Sequence, residues 1–160
     1  MAIHVRRQQH MPEISAMSAI SNGKLETILV VDDDPAVLRI VVAILKSANF
    51  QVLSAHSGAD AMKLARETEG RIDLLLSDLN MPLMSGPDLG EALKKSRPGI
   101  RVMLMSGGVD GNLLVLNYGW AFIQKPFVAK KLVEMVTSVL HSPDRSQPGG
   151  QEFHSHMDTA

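Results

Sequence analysis

Four polar signals in this chain each come directly after a short apolar run. They are the consecutive aspartates Asp32, Asp33 and Asp34, then Asp78, Ser106 and Lys125. An aspartate oxygen can attack phosphorus and form an acyl phosphate, and catalysis of that step is mostly positioning and charge neutralisation. Because a carboxylate and a phosphoryl donor repel each other, the reaction needs a divalent cation, which further carboxylates would hold. Together these residue types predict a cation site beside a phosphorylatable aspartate, provided that the fold brings them together.

The elements that must position these residues are apolar strand-like runs alternating with segments of helical periodicity. The predicted strands are Ile28–Val31, Val52-Leu53, Leu74–Ser77, Val102–Met105 and Ala121–Gln124. Five such strands alternating with five helical segments predict a doubly wound α/β fold, a parallel sheet with helices on both faces. Since crossovers in such sheets are right-handed, the C-terminal ends of all the strands lie at one edge, where ligands bind. The four polar signals should therefore converge there.

Helix starts are marked by capping residues. Asp34-Pro35 predicts an N-cap followed by proline at the first helical position, Ser57 can cap a second helix, and Ser85-Gly86-Pro87 opens a third. A short element is expected around Leu113–Leu116, and the last helix should begin after Pro126.

Composition limits the class of protein. The chain has 160 residues, 45% apolar and 21% charged, which is typical of one soluble globular domain. A net charge of −1 gives no field that favours nucleic acid or an anionic membrane, so we expect neither as a partner. The absence of cysteine excludes disulfides and Cys-based zinc sites and is compatible with a reducing cytoplasm. No apolar stretch is long enough for a bilayer and no secretory signal is evident, so a cytoplasmic protein is expected.

The chain divides into three parts by composition. Residues 1–26 lack sustained periodicity and predict a flexible N-terminal arm, and translation could begin at Met11 or Met17. Residues 27–141 form the predicted domain. Residues 142–160 are rich in Pro, Gly, Ser and His and predict a disordered tail. Because both tails are short, we expect no effector domain.

Several segments of the predicted domain resemble the motifs of response-regulator receiver domains, the phosphoacceptor half of two-component signalling pairs. These segments are Ile28–Asp34, Asp78–Pro82, Ser85-Gly86, Met105–Gly107 and Lys125–Phe127, in the family's order and with near-standard spacing. The resemblance covers about residues 27–141. It implies the flavodoxin-like strand order 2-1-3-4-5.

The resemblance also implies roles for the acidic residues. Asp78 would be the phosphoacceptor, and Mg²⁺, with Mn²⁺ as a substitute, would be bound by Asp33, Asp78 and the backbone carbonyl of Asn80. Asp32 would either hold a metal-bound water or orient Lys125. Asp34 would cap the first helix.

Lys125 and Ser106 would act with Asp78 in catalysis, and Ser106 and Phe122 would form the switch. Lys125 should meet the Asp78 carboxylate first and a phosphoryl oxygen later, as a compact point charge. The Ser106 hydroxyl would bond the phosphoryl group only after transfer, and Phe122 would follow the loop that then moves inward. Pro126 resembles the family's cis-proline.

Three features depart from the family. Only 19 positions separate Ser106 from Lys125, fewer than usual, so the fourth helix should be short or irregular and a family dimer mode cannot be carried over. Phe122 replaces the commoner tyrosine, and Ser106 replaces the commoner threonine, which removes a methyl but keeps the donor. Trp120 is either half-buried or part of a docking surface, and the sequence identifies no partner for it.

The resulting hypothesis is a stand-alone receiver that takes a phosphoryl group from a histidine kinase, or exchanges it with a histidine phosphotransfer protein, and signals to a downstream protein. It is not an enzyme beyond its own phosphorylation and slow dephosphorylation. One alternative is a receiver-like binding module that works without phosphorylation. Another is a haloacid-dehalogenase-type phosphohydrolase. Such an enzyme would have its nucleophile on the first strand and a second acidic residue at the position where this chain has Asn80.

Overall fold

The computed structural model describes residues 20–21, 23–108 and 118–143 of the chain. The elements are β1 (Ile20–Ser21), β2 (Lys24–Leu25), β3 (Thr27–Val31), α1 (Pro35–Ser47), β4 (Gln51–Ala55), α2 (Gly58–Glu67), β5 (Leu74–Asp78), α3 (Gly86–Ser96), β6 (Arg101–Ser106), β7 (Ala121–Gln124) and α4 (Ala129–His141). After a short N-terminal hairpin, strands and helices alternate from β3 to β6, and residues between β6 and β7 lie partly outside the described ranges.

The five strands from β3 to β7 form one parallel sheet in the order β4-β3-β5-β6-β7. Numbered along the chain, this is the order 2-1-3-4-5, so the predicted fold is confirmed. The chain leaves β3 toward β4 on one side and then crosses to β5 on the other. The C-terminal ends of β3 and β5 therefore flank the topological switch point, where such sheets bind ligands.

Each face of the sheet has its own apolar core. Ile28 and Val30 of β3 pack with buried residues of α1 and α4 on one face. Leu29 and Val31 pack with buried residues of α2 and α3 on the other. All five residues of β3 are buried, as expected of a strand that is covered on both faces.

The predicted caps begin the first three helices. The Asp34 side chain accepts hydrogen bonds from the backbone N–H groups of Ala36 and Val37, and proline follows it. Ser57 caps α2, and Ser85 and Asp88 form a reciprocal capping box at the start of α3. These caps fix where each loop at the site edge ends.

The structure differs from the sequence-based expectations in two places. Strand β4 extends beyond Val52-Leu53 because its register with β3 also pairs Gln51 with Thr27 and Ala55 with Val31. Within the stretch predicted as an arm, β1 and β2 form an antiparallel hairpin around Gly23, which has a φ of +75°. The element expected around Leu113–Leu116 lies outside the described residues. Among the helices that the structure describes, none has the length and apolar content that a membrane crossing requires.

Candidate functional site

Three carboxylates meet at the switch point of the sheet. Asp78 is the last residue of β5, and Asp32 and Asp33 directly follow β3. One carboxylate oxygen of each lies within 4.8 Å of the others. Asp32 is buried, Asp33 is exposed, and the Asp78 side chain is 13% exposed. An incoming group can therefore reach Asp78 and Asp33 while Asp32 lies beneath them.

Lys125, the residue after β7, joins two of these carboxylates. Its Nζ donates to Asp32 Oδ2 over 2.8 Å and to Asp78 Oδ1 over 3.0 Å. Asp32 is held in turn by the backbone N–H of Asp34, which donates to its Oδ1 over 2.9 Å. Of the two roles left open for Asp32, the structure thus shows the contact that orients Lys125. The role through a metal-bound water stays a prediction.

The charges at the site are not balanced. Burial raises the pKa of Asp78. The hydrogen bond and the positive charge of Lys125 lower this pKa, and the negative charges of Asp32 and Asp33 raise it, so that it ends above its ordinary value. Burial alone would lower the pKa of Lys125, but its hydrogen bonds to Asp32 and Asp78 and their negative charges outweigh it, and the pKa is raised. One ammonium thus faces three carboxylates.

This arrangement fits a divalent cation. Carboxylate oxygens are the hard ligands that Mg²⁺ prefers, usually one or two from the protein with waters and phosphoryl oxygens completing the octahedron. Asp33 and Asp78 are the more accessible of the three carboxylates, and Asp32 already bonds Lys125. A cation between Asp33 and Asp78 would offset the negative charges of Asp32 and Asp33, which add to the effect of burial on the pKa of Asp78.

Ser106 ends β6 at the same sheet edge. Strand pairing places Met105 opposite Asp78 and Ser106 opposite Gln124. The Ser106 carbonyl accepts the backbone N–H of Lys125 over 2.7 Å, which ties β6 to the lysine. The buried Ser106 hydroxyl forms 3.3 Å hydrogen bonds with the N–H and carbonyl of Gly108. The hydroxyl is thus engaged with its own turn in this structure.

The remaining predicted site residues surround this edge. Asn80 is exposed in the loop after β5, whose start is held by a 2.8 Å hydrogen bond from the Leu79 N–H to the Met105 carbonyl. Phe122 lies half-buried on β7, in the core that α2 and α3 cover. The Lys125–Pro126 peptide bond is cis, as the resemblance implied.

Gly86 has a role in the site that sequence reasoning gave only as part of a motif. A Cβ added to it would lie 2.3 Å from the Asp78 carbonyl oxygen and 3.0 Å from Leu104 Cδ2. Its N–H donates to the Leu79 carbonyl over 2.9 Å. The first turn of α3 therefore packs directly on the backbone of Asp78, which only glycine permits.

Leu83 was not singled out from the sequence at all. It is fully exposed and has a φ of +68°, in a tight turn closed by a 2.8 Å hydrogen bond from the Met84 N–H to the Pro82 carbonyl. A three-residue turn with positive φ is rare and strained, the more so around a branched side chain. Such strain is concentrated at functional sites, and this turn lies in the loop that follows Asp78.

Comparisons with known proteins identify a family and several relatives. The family model "Response regulator receiver domain" matches residues 28–137. Sensor kinase CckA of Brucella abortus is 34% identical over 121 residues, which are 74% of this chain and 13% of the kinase. The chain spans about half or less of the length of the other curated relatives that it matches.

Two solved structures share the fold. A response regulator receiver domain protein from Clostridium thermocellum is 28% identical with a TM-score of 0.66, covering 72% of this chain and 94% of that one. The receiver domain from hybrid histidine kinase CckA is 35% identical with a TM-score of 0.58, covering 71% of this chain and 98% of that domain.

Proposed function

This chain belongs to the response regulator receiver domain family, and we propose that it accepts a phosphoryl group on Asp78 in a reaction that depends on a divalent cation. The family as a whole serves two-component signalling as a phosphoacceptor rather than as a classical enzyme. The observation that carries the proposal for this chain is the contact of Asp78 with Lys125 beside two further carboxylates at the switch point.

The chemistry follows from the position of Asp78. Its carboxylate oxygen attacks phosphorus in line, an O–P bond forms, and the bond between phosphorus and the donor breaks with its electron pair leaving on the donor. For a phosphohistidine donor, the leaving atom is an imidazole nitrogen. Asp33, Asp78 and the Asn80 carbonyl would hold a Mg²⁺ or Mn²⁺ ion, which would supply charge neutralisation. The raised pKa of Asp78 shows why this matters, since the nucleophile must be ionised.

Lys125 serves the site before and after transfer. Before transfer it neutralises part of the Asp78 charge and fixes one carboxylate oxygen through the 3.0 Å hydrogen bond. After transfer its bond to Asp32 keeps the ammonium at the site, where it pairs with a phosphoryl oxygen. Ser106 would exchange its hydrogen bonds with Gly108 for one to the phosphoryl group, and Phe122 would follow the displaced turn.

The similarity to sensor kinases supports a phosphorelay partner. One curated relative is a sensor kinase, and one matching structure is a receiver domain from a hybrid histidine kinase. We therefore propose that the donor is a histidine kinase or a histidine phosphotransfer protein, in the cytoplasm, and that the signal passes to a further protein rather than to nucleic acid or a membrane.

The test is incubation with Mg²⁺ and acetyl phosphate, followed by intact-mass spectrometry. We expect one phosphoryl group on the wild type and none on Asp78→Asn. Turnover of phosphate esters would instead favour the hydrolase, and an unmodified wild type would favour the phosphorylation-independent binding module. Glu67→Gln, which alters an exposed carboxylate on α2, should behave as the wild type.

A further inference from the structure

Trp120, the chain's single tryptophan, lies just before β7 and is half-buried against α3. A Cβ added to Gly90 would lie 2.8 Å from Trp120 Cη2 and 2.9 Å from Cζ3. Any side chain at position 90 would therefore displace the indole. The indole also stacks on Tyr118, with ring centroids 4.6 Å apart and planes inclined by 21°. Tyr118 is 41% exposed, so the stack extends from the core to the surface.

Helix α3 connects this contact to the phosphoacceptor candidate. Gly86 and Gly90 are four residues apart and thus lie on the same face of the helix. Gly86 packs on the Asp78 carbonyl, and Gly90 packs on Trp120. Neither glycine leaves room for another atom, so a shift of the β5 end against α3 reaches the indole through one rigid helical turn.

Strand β7 connects the same indole to the other half of the site. Trp120 and Phe122 are two residues apart, point to the same face and belong to the same core. Gln124 pairs with Ser106, and the Lys125 N–H donates to the Ser106 carbonyl. A movement of Ser106 or Lys125 along the sheet edge therefore also reaches Trp120.

We propose that Trp120, held over Gly90, is a read-out element of this receiver, and that phosphorylation of Asp78 changes how the indole packs on α3 and on Tyr118. The inference rests on the proposed phosphorylation of Asp78. Helix α3 and strand β7 each have one end at the site, and both lead to this one side chain. Closely packed contacts of this kind change between discrete arrangements rather than deforming continuously. Trp120 is a positioning residue in this scheme, because it does not touch the reacting atoms.

The test follows acrylamide quenching of Trp120 fluorescence during phosphorylation with Mg²⁺ and acetyl phosphate, with the phosphorylated fraction measured by intact mass. In the wild type, quenching should change in proportion to that fraction. Gly90→Ala should still be phosphorylated but should lose the phosphorylation-dependent change. Gly99→Ala is the matched control, because a Cβ at Gly99 meets nothing within 4 Å.

A second measurement separates coupling from a merely structural role. Binding of beryllium fluoride with Mg²⁺, a non-transferable phosphoryl mimic, should change by roughly twofold to thirtyfold in Gly90→Ala, because coupling between two sites is reciprocal. A structural role alone would lower the melting temperature and leave this dissociation constant at the wild-type value. If Gly90→Ala does not fold, Tyr118→Ala removes half of the stack at an exposed position, and its phosphorylation-dependent quenching should be reduced.

The outcomes distinguish this inference from the proposed function. Wild-type protein that is phosphorylated on Asp78 with no change in Trp120 quenching would overturn the read-out role and leave the function standing. Wild-type protein that takes no phosphoryl group would overturn both.

Discussion

The Lys125 ammonium lies 3.0 Å from Oδ1 of Asp78 and donates a hydrogen bond to it. It donates a second hydrogen bond, over 2.8 Å, to Asp32, whose side chain is 1% exposed. The lysine therefore does not depend on the phosphoacceptor candidate for its position, so the Asp78 carboxylate can change chemically without releasing it.

Lys125→Ala should lower the free energy of unfolding by about 1–3 kcal/mol in metal-free buffer, because it leaves the buried Asp32 carboxylate without its cation. Urea denaturation with chelator measures this. Lys130→Ala is the control, since Lys130 is exposed and its pair with Glu134 contributes at most about 0.5 kcal/mol. Equal stabilities for the two variants would contradict the prediction. The Lys125 variant should also keep some phosphate acceptance but lose the change in Trp120 fluorescence.

The contribution of Asp78 to the stability of the metal-free protein should fall as pH rises from 3.8 through the raised pKa of this carboxyl. Burial raises the pKa of Asp78 above this ordinary value, so within the window up to the raised pKa the folded chain holds a proton that the unfolded chain has lost. Asp78→Asn should remove this part of the pH dependence and should be more stable than the wild type at neutral pH in chelator. Urea denaturation across a pH series tests this, and the same pH slope in both proteins would refute it.

Lys125 adds a second pH dependence of stability, which lies at high pH and comes from an ammonium group rather than from a carboxyl group. Its pKa is raised above 10.5, so its contribution to stability is fully present below that value and is lost as pH rises through the raised pKa. Lys125→Ala should lack this alkaline loss, which the same denaturation series would detect. The lysine-dependent loss should survive in the exposed-site variant Lys130→Ala.

Asp33→Asn and Asp34→Asn should differ sharply although the two residues are adjacent. Asp33 belongs to the carboxylate cluster, so its amide variant should bind Mg²⁺ about tenfold or more weakly, given that loss of an outer-shell partner alone costs about 10–100-fold. Asp34 caps α1 through its Oδ1, a role that asparagine fills equally well. Calorimetric titration with Mg²⁺ measures both, and similar losses would show that the assignment within the three aspartates is wrong.

The sheet and the position of the site could be predicted because both follow from local patterns. Apolar runs that end in Asp78, Ser106 and Lys125 determine the strands and place these residues at one edge. For Asp32 the sequence left two roles open, binding a metal-bound water and orienting Lys125, and only the fold shows the bond to Lys125.

Packing contacts of the aromatic residues with distant segments had no sequence signal. Trp120, just before β7, packs on Gly90 of α3, and nothing in the sequence around either residue predicts this contact. The extension of β4 likewise depends on pairing with β3, which overrides the weak strand preference of Gln51, Ser54 and Ala55.

Gly86→Ala should destabilise the protein by about 1–3 kcal/mol, because the new methyl group would overlap the Asp78 carbonyl and force the helix or the strand end to move. Phosphorylation by acetyl phosphate should slow as well, since the nucleophile moves with its backbone. Thermal unfolding and intact-mass time courses measure the two effects. Gly99→Ala should show neither, and a Gly86 variant with wild-type stability and rate would disprove the close contact.

Leu83→Asn should stabilise the protein by about 0.5–1 kcal/mol, because Leu83 has positive φ and asparagine tolerates that region better than a branched side chain does. The leucine side chain is fully exposed, so its removal costs no buried contact. Leu83→Val is the matched variant: it also shortens the exposed side chain, but branching at Cβ disfavours positive φ further, so it should destabilise. Urea denaturation ranks the three proteins. If valine and asparagine shifted stability in the same direction, loss of the exposed side chain rather than backbone strain would be the cause, and the loop after Asp78 would not be strained.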